Sequence, residues 1–118
     1  MSVYGLSTVC YFTSTSKMKI YVYDKKPGPV LFAKKINTRD NDLEKCFIYS
    51  NNPEEAMRYL SVPARRKSIQ QIISKWQMLK ISGKKIYTYA EIRTAPTLDP
   101  EMIRATLRDL TDLRIDHI

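Results

Sequence analysis

The chain has 118 residues, 43% of them apolar, and carries 20 Lys and Arg against 12 Asp and Glu for a net charge of +8. That is enough apolar material for a real core in one domain, or in two small ones sharing it, and it excludes global disorder. No run reaches the roughly 18 apolar residues that span a bilayer. The opening MSVYGLSTVCYFTS has no basic n-region and no clean apolar h-region, so no signal peptide is expected and the expected setting is cytoplasmic, in a cell or in the host of a virus.

Residues 1–50 read as β-rich. The stretch 7–15 (STVCYFTST) is crowded with β-branched and aromatic residues. The stretch 17–24 (KMKIYVYD) alternates, with Met18, Ile20 and Val22 on one face and Lys19, Tyr21 and Tyr23 on the other. The polar link between these two runs is an expected hairpin turn. KKPGP at 25–29 is a strong turn signal, PVLFAKKI at 29–36 a third strand, 37–44 a polar loop and KCFIYS at 45–50 a fourth strand. The expected packing is an antiparallel meander with one face covered by helix.

From Asn51 to Ser61 the pattern turns helical. Asn52 suits an N-cap, Pro53 the first helical position, and Glu54 and Glu55 the positive end of the dipole, with Ala56, Met57 and Leu60 as the apolar stripe. A longer helix is predicted over 63–81, because Ile69, Ile72, Ile73, Trp76 and Leu79 recur at helical spacing. Ser82-Gly83 reads as its stop. A short strand over 84–87, a short helix to about Thr94, a turn at 95–97 and a last helix follow. Asp99 is the expected cap of that last helix, Pro100 its first residue, and Ile103, Leu107, Leu110 and Leu113 its apolar face. No internal repeat is apparent.

Residues 63–118 resemble a winged helix-turn-helix unit. The helix over 63–81 corresponds to its first helix, KKIY to the strand after it, TYAEIRTA to the second helix, PTLDPE to the turn and MIRATLRDLTDLRIDHI to the recognition helix and following strand. There is no glycine after the last helix and room for one strand only, so the resemblance implies a truncated wing, or one whose missing strands the N-terminal sheet supplies. The fold class so expected is α+β: an N-terminal antiparallel sheet of three to four strands plus a short helix, then a three-helix winged-helix-like unit. The expected division is 1–61 and 62–118, the two parts sharing one core if they pack together.

Charge is unevenly spread. Residues 1–60 hold 9 basic and 6 acidic groups, 61–98 hold 8 basic groups and the single acid Glu91, and 99–118 hold 3 basic and 5 acidic groups. The resemblance implies a last helix whose outer face, with Arg104 and Arg108 one turn apart, meets the major groove. Arg65, Arg66, Lys67, Lys75, Lys80, Lys84, Lys85 and Arg93 are the candidate phosphate-tracking patch beside it. The competing assignment for these cations is a solvated helix face, or pairing with the acids of the last helix. Tyr21 and Tyr23 beside Lys19 and Lys25 could also form a stacking surface for single strands, although packing against a helix or a dimer mate is the commoner fate of such a face and is the one expected here.

Catalysis is not expected. His117 is the only histidine and lies next to the terminus, no zinc or metalloprotease spacing occurs, and three glycines (Gly5, Gly28, Gly83) cannot build a phosphate loop. Tyr87 and Tyr89 lack the neighbours a nucleophile needs. Cys10 and Cys46 read as free structural thiols. The expected function is that of a small DNA-binding regulatory or architectural protein, with no cofactor or metal, duplex DNA as partner, and a homodimer through the N-terminal sheet. The alternative is a protein-interaction module of a transcription or replication assembly, using the winged-helix-like unit.

Overall fold

A computed structural model describes residues 4–30, 32–37, 43, 45–92 and 100–115, with backbone only for 4–6, 91 and 92. The elements in order are β1 (Tyr4–Tyr11), β2 (Lys19–Tyr23), β3 (Lys34–Ile36), β4 (Phe47–Ser50), α1 (Pro53–Leu60), α2 (Pro63–Ile73), β5 (Met78–Ser82), β6 (Lys85–Ile92) and α3 (Pro100–Asp112). The strands form one sheet in the order β1-β6-β5-β2-β4-β3, with every neighbouring pair antiparallel.

This architecture corrects the expected fold class. There is a six-stranded antiparallel sheet with three helices, and no three-helix winged unit. The predicted helix over 63–81 ends at Ile73. Its last turn tightens, with Lys75 N–H donating to the Ile72 carbonyl at 3.0 Å and the Ser74 hydroxyl to Gln71 at 2.6 Å. Beyond Trp76 the apolar period changes from three or four to two: Leu79 and Ile81 are buried while Met78, Lys80 and Ser82 are half-buried on the other side. Leu79 follows Trp76 by three residues in either scheme, which is why the helical spacing ran on past its true end.

TYAEI, expected in the second helix, belongs to β6. Ile86 and Thr88 face the core and Tyr87 and Tyr89 face away, a strict alternation. The strand gains hydrogen-bonding partners on both edges, β1 on one side and β5 on the other, and that outweighs the modest helical preference of Ala90 and Glu91. The expected turn at 95–97 and the Asp99 cap lie outside the described residues.

The meander expectation fails at the first link. β1 runs from Tyr4 to Tyr11, ahead of the predicted 7–15, and pairs with β6 rather than β2. Strand β3 keeps only Lys34–Ile36 of the predicted 29–36. Helix on one face of the sheet is, by contrast, what the structure has. The core is one cluster: Ile20, Val22, Ile48, Leu79, Ile81 and Ile86 from the sheet against Ala56, Leu60, Ile69, Ile72, Trp76, Leu110 and Leu113 from the helical layer. Strands from both halves of the chain pair directly, Tyr21 of β2 opposite Lys80 of β5.

Helix α1 starts as its sequence predicts. The Asn52 side chain accepts from Glu55 N–H at 3.3 Å, and Pro53 takes the first helical position. Its buried stripe is Ala56, Tyr59 and Leu60, with Met57 turned outward. The Tyr59 hydroxyl donates to the Leu113 carbonyl, tying α1 to the end of α3. In α3 the buried face is rotated from the expected one. Thr106 and Leu110 are buried with Leu113 just beyond the helix, while Leu107 is 37% exposed. Thr106 is inside because its hydroxyl accepts from the Trp76 indole N–H at 3.0 Å.

Thr88 is fully buried in β6, and its hydroxyl has no hydrogen-bond partner among the described residues. A buried hydroxyl without a partner forfeits its hydration, so Thr88→Val, of nearly the same shape, is expected to raise the unfolding free energy by about 1 kcal/mol. Urea denaturation followed by tryptophan fluorescence reads this directly, and a loss of stability would show that the hydroxyl is satisfied.

Candidate functional site

With the helices on one side, the other side of the sheet is open among the described residues. Register places its side chains in rows. One row runs Lys35, Tyr49, Tyr21, Lys80, Tyr87 and Val9, one residue from each of the six strands. A second runs Phe47, Tyr23, Met78, Tyr89 and Ser7. Five inter-strand gaps of roughly 4.8 Å make the first row about 24 Å long. Among the strand residues of this face whose side chains are described there is no Asp or Glu.

The rings and ammonium groups are interleaved. Lys80 Nζ lies 5.4 Å from the Tyr21 ring centroid and 5.9 Å from that of Tyr87, Lys85 Nζ lies 5.4 Å from Tyr87, and Lys35 Nζ lies 5.5 Å from Phe47. Each is within cation–π range. Tyr23 and Tyr49 meet edge to face at 6.1 Å. Burial, then the neighbouring tyrosines, raise the Tyr23 phenol above its ordinary value, and burial followed by Tyr21 does the same for Tyr87. Both therefore stay neutral at physiological pH.

At one end of this face the lysines crowd. A groove of about 760 Å³ lies between the segment before β2 and the β5–β6 hairpin, lined by Lys17, Lys19, Lys80, Lys84 and Lys85 with Tyr11 at its side. The Asn51 amide fixes one wall, accepting from Lys19 N–H at 2.8 Å and donating to the Lys17 carbonyl at 3.0 Å. Burial first, and then Lys19 and Lys85, hold the Lys80 ammonium below the ordinary lysine range. A cation so depressed costs the fold stability while it is charged. That cost is present below its folded-state pKa and fades as pH rises through it. A bound anion offsets it.

The predicted site residues do not assemble into one patch. Arg65 lies over the Tyr59 ring at 4.3 Å and donates to the Tyr59 carbonyl at 3.1 Å. Arg66 donates to the Leu60 and Ser61 carbonyls, both at 3.0 Å. These two arginines close the C-terminal end of α1, a structural role. Lys67 is exposed on α2. Lys75 and Arg108 share a polar notch between α2 and α3 with Asp109, whose carboxyl is raised by burial and then by Asp112. Arg104 pairs with Glu101 at 3.2 Å on the outside of α3. Arg93 is outside the described residues. Of the expected residues described, only Lys80, Lys84 and Lys85 reach the groove.

Lys17, Tyr49 and Tyr87 were not among the expected site residues, and the expectation that Tyr21 and Tyr23 pack against a helix or a dimer mate loses its first alternative, because all the described helices lie behind the sheet. One sequence signal would have pointed to the face. KIYVY at 19–23 and KIYTY at 85–89 are near-identical pentapeptides, and the structure sets them in step on either side of β5. Tyr21 and Tyr87 both pair with Lys80, and Tyr23 and Tyr89 both pair with Met78. Cys10 and Cys46 are free thiols, both raised by burial, with Asp24 a smaller cause at Cys46. Among the described residues no cluster of three His, Cys, Asp or Glu could hold a metal ion, and no helix is long and apolar enough to cross a membrane.

No protein-family model matches the chain, and no curated protein matches its sequence. Among solved structures, the fold is similar to the crystal structure of the mycobacterial trehalose monomycolate transport factor A, TtfA, with a TM-score of 0.69 at 9% identity. The match covers 91% of this chain and 58% of that one. At that identity the likeness concerns fold alone. The shared fold is a sheet-rich one and not a winged helix. The DNA-binding regulator expected from the last third, and the interaction module built on the same winged unit, both fall with it.

Proposed function

We propose that this chain is a binding module, not an enzyme, which holds a flexible polyanion across the open face of its sheet. The observation that carries this reading is the row in which Tyr49 and Tyr21 stand between Lys35 and Lys80, with Tyr87 on the far side of Lys80, on a face with no described acidic strand residue. A flexible chain can follow such a row, setting planar or apolar groups on the rings while ammonium groups neutralise its charge. Face-to-face association of two copies would oppose lysine to lysine, so the homodimer expected through the N-terminal sheet is not carried by this face.

Fluorescence anisotropy with two labelled flexible polyanions, a single-stranded oligonucleotide and a poly-glutamate chain, tests this. Wild-type protein should bind at low salt and weaken as salt rises. Tyr21→Ser with Tyr49→Ser, and Lys35→Glu with Lys80→Glu, should each weaken binding about tenfold or more, the size expected for losing stacking or charge-assisted contacts. Lys67→Glu, on the helix side, should leave it unchanged. Absence of binding to both probes, or equal sensitivity to Lys67→Glu, would refute the reading.

A further inference from the structure

The lysines at the end of the open face have a feature the rest of the face lacks. They converge. Lys17 and Lys19 come from the segment entering β2, Lys80 from β5, and Lys84 and Lys85 from the β5–β6 hairpin. Sixty or more residues of chain separate the first pair from the others, and the pairing of Lys19 with Ser82 brings them to one groove. Folding therefore concentrates five ammonium groups around a concave space with no carboxylate among its lining residues.

We propose that this groove is a binding site for adjacent phosphate groups, a pyrophosphate or polyphosphate moiety. The inference rests on the reading of the open face as anion-binding, since Lys80 and Lys85 belong to both. Charge number argues for phosphate over a single carboxylate. One carboxylate offsets one of five cations, whereas a pyrophosphate brings several negative charges in a compact unit with enough oxygens to accept from several lysines. Ammonium groups act as point charges on flexible stems, suited to a phosphate cluster whose oxygens point in many directions.

The walls are built to hold the cations in place. The Asn51 amide uses both its polar atoms on the backbone of Lys17 and Lys19. Across the groove the Ser82 hydroxyl donates to the Lys85 carbonyl at 2.7 Å and accepts from its N–H at 3.3 Å. Asn51 and Ser82 are thus positioning residues, and the lysines are the ligand-contacting groups. The groove is also larger than a pyrophosphate needs and falls within the range of small-molecule sites. Tyr11, 78% exposed, stands beside it, so the moiety can belong to a free inorganic anion, a nucleotide or a phosphorylated lipid headgroup.

Isothermal titration of the full chain with inorganic pyrophosphate tests the site, and orthophosphate, ADP and phosphatidylcholine vesicles carrying a bisphosphorylated inositol lipid separate the sources. Wild-type protein is expected to bind pyrophosphate more tightly than orthophosphate, and pyrophosphate should displace whichever of ADP or vesicles also binds. Lys17→Ala with Lys84→Ala, which leaves the aromatic rows intact, should weaken pyrophosphate binding about tenfold or more. Asn51→Ala should weaken it less, with the thermal midpoint reported alongside to show that the fold persists. No pyrophosphate binding, binding unchanged in the Lys17/Lys84 variant, or vesicle binding that pyrophosphate does not compete would overturn the proposal. Failure here with polyanion binding still lost in the Tyr21/Tyr49 variant would leave the face reading standing. Success here with polyanion binding retained in that variant would remove the face reading and keep the groove.

Discussion

Trp76→Ala is expected to lower the unfolding free energy by about 3–5 kcal/mol, a large share of the roughly 5–15 kcal/mol that holds an ordinary domain together. Trp76 is 2% exposed and sits just past α2, where its N–H still bonds to the Ile72 carbonyl at 2.9 Å. Its ring belongs to the cluster that also holds Leu110 and Leu113 from the end of α3, and its indole N–H reaches Thr106 across that seam. Truncation therefore leaves a cavity where the helical layer meets the sheet and removes a buried hydrogen bond as well. The two contributions separate with conservative changes. Trp76→Phe keeps most of the volume but takes the donor from Thr106, and should cost about 1–3 kcal/mol beyond the volume lost. Adding Thr106→Val removes the stranded hydroxyl and should recover part of that. Chemical denaturation of the four proteins measures the cycle, and additive single-variant effects would show that the Trp76–Thr106 bond contributes nothing.

What was legible in the sequence, and what was not, follows from where each signal lives. The capping of α1 is written in four consecutive residues, Asn52 to Glu55, and appears as read. The alternation of β2 is equally local, and Met18, Ile20 and Val22 are indeed the buried set. The errors arise where the resemblance overrides a local pattern or where that pattern admits two periods. Ala90 and Ile92, two residues apart, share one face of a strand and not of a helix, so the short helix expected there rests on the resemblance, and the partners β1 and β5, far away in sequence, make the segment a strand. The helix predicted to Ile81 is the two-period case, because Leu79 continues the spacing of Ile72 and Trp76 and also alternates with Ile81. With β5 taken as helix, the short strand at 84–87 has no neighbour on which Lys80 and Tyr87 could share a face. Nearness in sequence groups the basic residues without regard to the fold, and so assigns Arg65 and Arg66 to a ligand although they close the end of α1. A groove assembled from Lys17 and Lys84 has no local signature at all. The repeated KIYVY and KIYTY was the one trace of it within reach.

Gly83→Ala is expected to destabilise the fold by about 1–3 kcal/mol and to impair the groove at the same time, because overpacking against a rigid neighbour forces backbone to move. Gly83 is buried at the β5–β6 turn, and a Cβ there would come 2.6 Å from the Ser16 carbonyl oxygen and 3.1 Å from that of Ser14. Both obstacles are main chain. The Ser14–Ser16 segment is itself pinned, Ser14 Oγ accepting from Ser16 N–H and Ser16 Oγ from Met18 N–H, each at 3.2 Å. It cannot yield as the end of a flexible side chain would. The added methyl must instead push the hairpin away from the segment leading to β2, which separates Lys84 and Lys85 from Lys17 and Lys19. Stability and anion affinity should therefore fall together in this variant, whereas Lys17→Ala with Lys84→Ala should lose affinity with stability little changed or slightly raised, since like charges are being removed. Thermal denaturation and pyrophosphate titration on the same preparations distinguish the two patterns. A Gly83→Ala protein with wild-type midpoint and wild-type affinity would mean that the hairpin and the Ser14–Ser16 segment do not pack as described.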